Sequence, residues 1–160
     1  MLTDRVIAKA IYIGSLHIRE DNFIDFVTPH MKKSRYDRKY FIGLGDIVYF
    51  MFVDGVLMKI GKAGKAKGWY SRVSLYRRGS NKGGDKTNRL IIDEMNKMDK
   101  KNIEVFAIPC PRKKELHMDI LSDEAYEIEC ETAGSVESYY TDMYLNEKKG
   151  NTLRFCKQLK

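Results

Sequence analysis

The strongest structural signal in this chain is the sequence GDIVYFMFVDGVLMKIGKAGKAKGWYSRVSLY, residues 45–76. Two apolar runs, 47–53 and 56–60, flank the pair Asp54-Gly55. Apolar runs on either side of an Asp-Gly pair are a strong signal for a β-hairpin. The chain then passes through a loop rich in glycine and lysine, and the sequence predicts that a basic helix follows it.

Four polar side chains in this stretch suggest a phosphate-binding site. Tyr49 and Lys59 lie on the two predicted strands, where a plain hairpin needs neither of them. Arg72 and Tyr76 lie four residues apart in the helix predicted over about 66–78, so they share a face. Hydroxyl, ammonium and guanidinium groups that converge in this way suit the oxygens of a phosphate.

The register of the hairpin has two alternatives. A two-residue turn at Asp54-Gly55 pairs Tyr49 with Ile60 and puts Lys59 on the opposite face. A three-residue loop that includes Val53 pairs Tyr49 with Lys59 directly. We favour the three-residue loop, because a type I turn followed by a left-handed glycine is a common form of it. It also collects four apolar residues on the other face, which would be the core side: Phe50, Phe52, Val56 and Met58.

The remaining elements predict a small α+β domain. After the hairpin we expect a helix capped by Asn88, a third strand over 103–108 and a third helix over about 134–147. Alternation of apolar residues with acids also favours an extra edge strand at Tyr126, Ile128 and Cys130.

The N-terminal residues predict an elaboration of this domain. Strands are expected at Val6–Leu16 and Tyr40–Leu44. The predicted architecture is a three-stranded antiparallel sheet flanked by helices, with a β-containing extension at residues 1–44 packed on a core at residues 45–160.

Composition is that of a globular protein. The chain has 160 residues, of which 43% are hydrophobic and 32% are charged. No apolar run approaches the roughly 18 residues of a membrane span, and the N-terminus does not have the layout of a secretory signal. The three cysteines form no C-x-x-C pair, so we expect reduced thiols in a cytoplasmic protein, without a disulfide or zinc role. The three histidines are scattered and show no ligand spacing.

Charge is concentrated in one stretch of the chain. The formal net charge is +7, and residues 59–89 hold ten basic residues against one acid. Such a concentration predicts a polyanionic partner, in preference to a merely solvated cationic surface. Residues 115–142 reverse the sign, with nine acids and no Lys or Arg. The candidate DNA-binding residues are Lys62, Lys65, Lys67, Arg77, Arg78, Lys82, Lys86 and Arg89.

The order of these motifs resembles the GIY-YIG nuclease superfamily. The family's two strand motifs are similar to "VYF" with Tyr49 and to "KIG", where Lys59 replaces the second tyrosine. Arg72 with Tyr76 follows, after a gap longer than is usual. The resemblance covers roughly residues 45–155 and is strongest to small GIY-YIG restriction endonucleases and to phage endonucleases of the family.

The resemblance implies a set of catalytic residues: Tyr49, Lys59, Arg72, Tyr76, Glu137 and Asn151. Tyr49 would act as general base or position the attacking water, and Lys59 would be the cation that favours its phenolate. Glu137 would be the protein ligand of one Mg²⁺ or Mn²⁺ ion, and Asn151 would brace the site. Lys62 would contact the DNA backbone, and Trp69 would pack the loop.

These observations predict a metal-dependent DNA endonuclease, restriction-like or phage-borne, that cuts both strands. The alternatives are a non-catalytic nucleic-acid-binding module and an RNA-directed nuclease on the same fold. Restriction-type cleavage predicts a homodimer, whereas a nicking enzyme predicts a monomer. A membrane partner and a small-molecule cofactor are not expected.

Overall fold

A computed structural model describes residues 1–64, 67–78, 86–147 and 153–156, and this part of the chain is α+β as predicted. The helices are α1 Leu2–Lys9, α2 Arg38–Gly43, α3 Gly68–Arg77, α4 Lys86–Lys97 and α5 Ala133–Glu147. The strands are β1 Ile11–Ile18, β2 Ile24–Val27, β3 Met31–Lys32, β4 Arg35–Tyr36, β5 Ile47–Val53, β6 Val56–Ala63, β7 Asn102–Pro109, β8 Lys113–Met118 and β9 Ala125–Cys130.

The main sheet of the described residues has five strands, where the sequence predicted three. Its order is β2-β1-β7-β5-β6, and every neighbouring pair is antiparallel. The predicted core strands are β5, β6 and β7. The two additional strands, β1 and β2, come from the N-terminal residues and join the sheet through β7. Because β1 and β2 are added on the side of β7, β6 remains an edge strand.

The turn of the β5–β6 hairpin has two residues, so the predicted three-residue loop is wrong. Val53 pairs with Val56 across the turn. Asp54 has a φ of 47° and Gly55 a φ of 77°. Two successive residues with positive φ are the signature of a type I′ turn, whose twist matches that of the flanking strands.

A β-bulge then changes the register, so that neither predicted pairing of Tyr49 is found. The shift leaves Met58 as the extra residue, since Met51 pairs with Lys59 beyond it. Tyr49 consequently lies opposite Gly61 instead of Lys59 or Ile60. Because Met51 and Tyr49 are two residues apart on one strand, the bulge still places Lys59 on the face of Tyr49.

Of the four residues predicted to share the core side of the hairpin, only two do so. Phe50 and Phe52 are buried together on the face opposite Tyr49. Met58 belongs instead to the cluster that contains Tyr49, because the bulge turns it to that face. Val56 is 57% exposed beside the turn.

The predicted strands Val6–Leu16 and Tyr40–Leu44 are wrong in part. The chain begins with helix α1, because Leu2 and Val6 lie one turn apart and both are buried; β1 follows it. The second predicted strand is helix α2, which Asp37 caps by accepting hydrogen bonds from two backbone N–H groups of the first turn.

Helix α4 begins at Lys86, so Asn88 lies inside the helix and is not its cap. The Asn88 side-chain amide donates to the carbonyl oxygen of Leu75 at 2.8 Å, which ties α4 to the helix before it. Ile91 and Met95 are buried on one face of α4, as the periodicity predicted.

Helices pack on both faces of the sheet. Trp69 and Val73 of α3 are buried in the cluster that contains Tyr49, on one face. Ala133 and Tyr144 of α5 are buried in the cluster on the other face. None of the helices in the described ranges is long and apolar enough to cross a membrane.

The predicted extra strand exists as β9, but it does not join the main sheet. It pairs with β8 in a separate two-stranded sheet. The apolar tip of this hairpin points into solvent, with Ile120 93% exposed and Leu121 96% exposed.

Candidate active site

The site lies at edge strand β6, where the ring of Tyr49 crosses Gly61. A Cβ atom added to Gly61 would overlap the Cζ and Oη atoms of Tyr49. Only glycine leaves room for the ring to lie across the edge strand. The glycine of the "KIG" motif therefore has a direct structural role in placing the Tyr49 hydroxyl.

Tyr49 and Tyr76 form a buried hydroxyl pair. Their Oη atoms lie 2.6 Å apart, and the two residues are 1% and 2% exposed. Trp69 packs edge-on against the Tyr49 ring, with 5.2 Å between ring centroids. Trp69, which we expected to pack the loop, is buried in the core against Tyr49.

Both tyrosines are neutral at physiological pH. Burial raises the pKa of Tyr49 to about 12, although the Arg72 guanidinium and the hydrogen bond from Tyr76 act in the opposite direction. Burial likewise raises the pKa of Tyr76 well above its ordinary value. We expected Lys59 to be the cation that favours a Tyr49 phenolate. In the structure, Arg72 is the cation that lowers the pKa of Tyr49, and burial outweighs it.

Helix α3 brings Arg72 to the edge strand. Trp69, Val73 and Tyr76 follow the helical repeat and are buried, which fixes the rotation of the helix. Arg72 lies beside this stripe, is half-buried, and donates from Nη2 to the carbonyl oxygen of Lys62 at 3.3 Å. Within the described residues the guanidinium makes no other hydrogen bond, so its remaining donors could bind phosphate oxygens.

Lys59 is held by a C-terminal segment that the sequence did not link to the site. Its Nζ donates to the carbonyl oxygen of Phe155 at 3.5 Å. The Phe155 amide in turn donates to the carbonyl oxygen of Met58 at 3.0 Å. Leu153 is buried in the cluster on one face of the sheet and Phe155 in the cluster on the other. The segment therefore crosses the edge of β6 at the bulge.

Glu137 reaches the site from the opposite layer. It lies on α5 between Ala133, which is buried, and Tyr140, whose ring packs on Phe50 with 5.5 Å between centroids. Although α3 and α5 pack on different faces of the sheet, Arg72 lies close enough to Glu137 to lower its pKa.

The Glu137 carboxylate is suited to a hard cation. Burial raises its pKa, while Lys62, Lys59 and Arg72 lower it. Among the described residues, its oxygens have no hydrogen bond and no ion pair. A half-buried carboxylate with free oxygens fits the preference of Mg²⁺ for oxygen ligands.

The predicted DNA-binding residues that the structure describes are all exposed. Lys62 is exposed and forms an ion pair of 3.3 Å with Glu131. The other described candidates are exposed too: Lys67, Arg77, Arg78, Lys86 and Arg89. The guanidinium of Arg77 also lies over the ring of Tyr36, 5.9 Å from its centroid. Three predicted site residues lie outside the described residues: Lys65, Lys82 and Asn151.

Comparisons with known proteins relate this chain to nucleases through its fold. No model of a protein family matches the sequence, and no curated protein matches it either. A solved mutant of bacteriophage T4 EndoII has a similar structure, with a TM-score of 0.56 at 15% identity over 90% of this chain and 96% of that chain. The restriction endonuclease HPY188I, solved in complex with product DNA, gives a TM-score of 0.51 at 15% identity, over 97% of this chain and 84% of that chain. These similarities show that the chain shares its fold with both structures.

Proposed function

We propose that this protein is a metal-dependent DNA endonuclease of the GIY-YIG type. One observation carries the proposal: a neutral tyrosine pair, Arg72, Lys59 and Glu137, whose carboxylate has no ion pair in the described part of the chain, come together at the edge of β6. These groups come from two strands and from helices on opposite faces of the sheet. A purely structural role explains neither the free carboxylate nor its cationic surroundings.

The two cations bind the scissile phosphate. Arg72 offers a planar fork to two phosphate oxygens, and Lys59 adds a point charge from the same edge. Phosphodiester hydrolysis builds up negative charge on these oxygens in the transition state. Fixed cations that face this charge lower the barrier because they need no reorganisation.

The tyrosine pair positions the reacting groups. With a pKa of about 12, Tyr49 stays protonated at neutral pH, so we assign it the positioning role instead of that of general base. One hydroxyl of the pair donates to the other, which leaves one O–H group to donate to the phosphate or to the attacking water.

Glu137 would hold the catalytic Mg²⁺ or Mn²⁺ ion through its carboxylate oxygens. When bound, such an ion neutralises phosphate charge and lowers the pKa of a coordinated water. Lys59, Lys62 and Arg72 stay close enough to Glu137 to affect its pKa, so the carboxylate and the phosphate-binding cations belong to one site.

DNA is the substrate that the surroundings of the site favour. Exposed basic residues on β6, α3 and α4 supply a surface for backbone phosphates. One of the structures with the same fold is that of a restriction endonuclease bound to product DNA, and the other is that of a phage protein. We therefore propose restriction-like or phage-borne cleavage of both strands, with a homodimer supplying two sites.

The experiment is incubation of purified protein with supercoiled plasmid and Mg²⁺, with EDTA in a parallel sample. Linear product that EDTA abolishes is expected, with nicked circles as a transient intermediate. Cleavage of a structured RNA but not of plasmid would instead indicate an RNA-directed nuclease. Binding of both substrates without cleavage would overturn the proposal in favour of a binding module.

A further inference from the structure

The β8–β9 hairpin lacks the packing that usually stabilises two strands. Among the described residues, β8 and β9 pair only with each other. Most of their side chains are exposed, and only His117, Ile128 and Cys130 in the two strands are partly buried. An isolated two-stranded hairpin is marginally stable in water. This hairpin therefore needs a further source of stability.

Three side chains on one face of the hairpin can supply it. Glu115 and His117 are two residues apart on β8 and so point the same way. Cys130 on β9 pairs with Lys113 on β8, two residues before Glu115, so the thiol lies on the same face as Glu115 and His117. One ligand atom from each of Glu115, His117 and Cys130 lies within 4.8 Å of the others. His117 Nε2 and Glu115 Oε2 lie 3.2 Å apart.

We propose that Glu115, His117 and Cys130 bind a Zn²⁺ ion that holds the two strands of this hairpin together. Sulfur, imidazole nitrogen and carboxylate oxygen are all ordinary zinc ligands, and a water would complete a tetrahedral site. The thiolate makes the set unsuitable for Mg²⁺, which prefers oxygen ligands. The nuclease proposal places its metal at Glu137, on a different element, so the two sites need different ions.

From the sequence we expected no zinc role for the cysteines. The cysteines showed no C-x-x-C pair and the histidines no regular ligand spacing. What joins the ligands is the antiparallel register, which brings Cys130 next to a residue 15 positions earlier. The one local signal is the Glu-x-His spacing on a strand, which by itself is common on exposed strands.

The same face holds three further side chains: Lys113, Tyr126 and Ile128. The His117 and Tyr126 rings lie 6.0 Å apart between centroids, which limits the rotation of the imidazole. Lys113 lies directly opposite Cys130. Burial and the neighbouring Glu115 carboxylate raise the pKa of the Cys130 thiol, so the thiolate ligand would form as the metal binds and the proton is released.

The test uses Co²⁺ as the probe, because a cobalt ion bound by a thiolate absorbs in the near ultraviolet. We expect one equivalent of Co²⁺ to produce this band in the full-length protein. Zn²⁺ should abolish the band, and an excess of Mg²⁺ should leave it intact. Cys130→Ser should lose the band. His117→Ala should bind Zn²⁺ at least about tenfold more weakly, since even residues that only orient metal ligands contribute that much.

Cys156→Ser is the matched control, because Cys156 is a partly exposed thiol that packs against the core cluster containing Phe50 and is not part of this hairpin. It should keep the band. Absence of the band in the wild type, its survival in Cys130→Ser or its loss in Cys156→Ser would each overturn the proposal.

A second measurement tests the structural role of the ion. Hydrogen exchange of the backbone amides in 113–130 should slow when Zn²⁺ is added to the wild type. It should not change in Cys130→Ser, even if that variant is folded elsewhere. Equal exchange in the wild type with and without Zn²⁺ would overturn the role. None of these readouts depends on nuclease activity, so the failure of one proposal is distinguishable from the failure of the other.

Discussion

The hydroxyl oxygens of Tyr49 and Tyr76 lie 2.6 Å apart in the interior of the protein, where β5 and α3 meet. Both residues are almost fully buried, and among the residues that the structure describes each hydroxyl has its hydrogen-bond partner in the other. The pair joins the sheet to the helix that carries Arg72, and it forms the buried part of the candidate site.

A double-mutant cycle tests this pair. Tyr49→Phe or Tyr76→Phe should each lower the free energy of unfolding by about 1–3 kcal/mol, because each leaves a buried hydroxyl without a partner. The double variant should lose less than the sum of the two single changes, since it removes both polar groups. Urea unfolding of the four proteins measures this, and additive losses would contradict the pairing.

The pH dependence of stability tests the burial of Tyr49. Its folded-state pKa is about 12 against an ordinary 10.0, so its contribution is full below pH 10 and is lost as the pH rises through 12. The difference in unfolding free energy between the wild type and Tyr49→Phe should therefore shrink above pH 10. A difference that stays constant to pH 12 would show that the tyrosine is not buried in this way.

Gly61→Ala tests the close approach at the edge strand. The added methyl would overlap Tyr49, so we expect a loss of about 1–3 kcal/mol of stability. Nuclease activity should fall by about a hundredfold if the displaced hydroxyl is part of the site. Gly43→Ala is the matched control, because no atom lies within 4 Å of the added carbon. It should leave both properties near their wild-type values, and a Gly61 variant that behaves likewise would contradict the geometry.

Local patterns predicted much of this arrangement. The Asp54-Gly55 turn and the two flanking strands followed from chemistry within a dozen residues. The shared helix face of Arg72 and Tyr76 also followed from their local spacing. The bulge was not predictable, because Met58 is as compatible with a regular strand as with a bulge. The bulge changed the cross-strand partner of Tyr49 but kept Lys59 on the same face of the sheet as Tyr49.

Non-local contacts explain what the sequence could not show. Phe155 binds Met58 and Lys59 through its backbone, and backbone atoms carry no residue-specific signal. Glu137 was singled out by resemblance alone, since eight other acids surround it in 115–142. Its approach to Arg72 depends on two helices packing on opposite faces of one sheet. The helices that replaced the N-terminal strands likewise depend on burial against that sheet.

Lys59→Met tests the phosphate-binding role of the edge strand. We expect activity to fall by about 10²–10³-fold, the usual effect of removing one group that stabilises transition-state charge. The fold should persist, because the aliphatic part of the side chain is retained. Lys97→Met is a suitable control, since Lys97 is an exposed lysine on α4 that pairs only with Glu94 among the described residues. Unchanged cleavage by Lys59→Met would contradict the site.

Glu137→Gln should not destabilise the protein. Burial raises the pKa of Glu137, so its stabilising contribution is full below the ordinary Glu pKa and is lost as the pH rises through the folded value. At neutral pH the charged form is therefore a cost to folding, and the neutral amide removes it. The melting temperature of the variant at neutral pH should equal or exceed that of the wild type.

The most direct test of the nuclease account measures cleavage and binding of one DNA duplex by the wild type and by Glu137→Gln, in the presence of Mg²⁺. We expect the variant to lose at least about a hundredfold in cleavage rate, because the metal ligand is gone. Its Kd for the duplex should change by less than about threefold, because the exposed basic residues that bind the phosphates remain. Cleavage by Glu137→Gln at the wild-type rate would contradict the account.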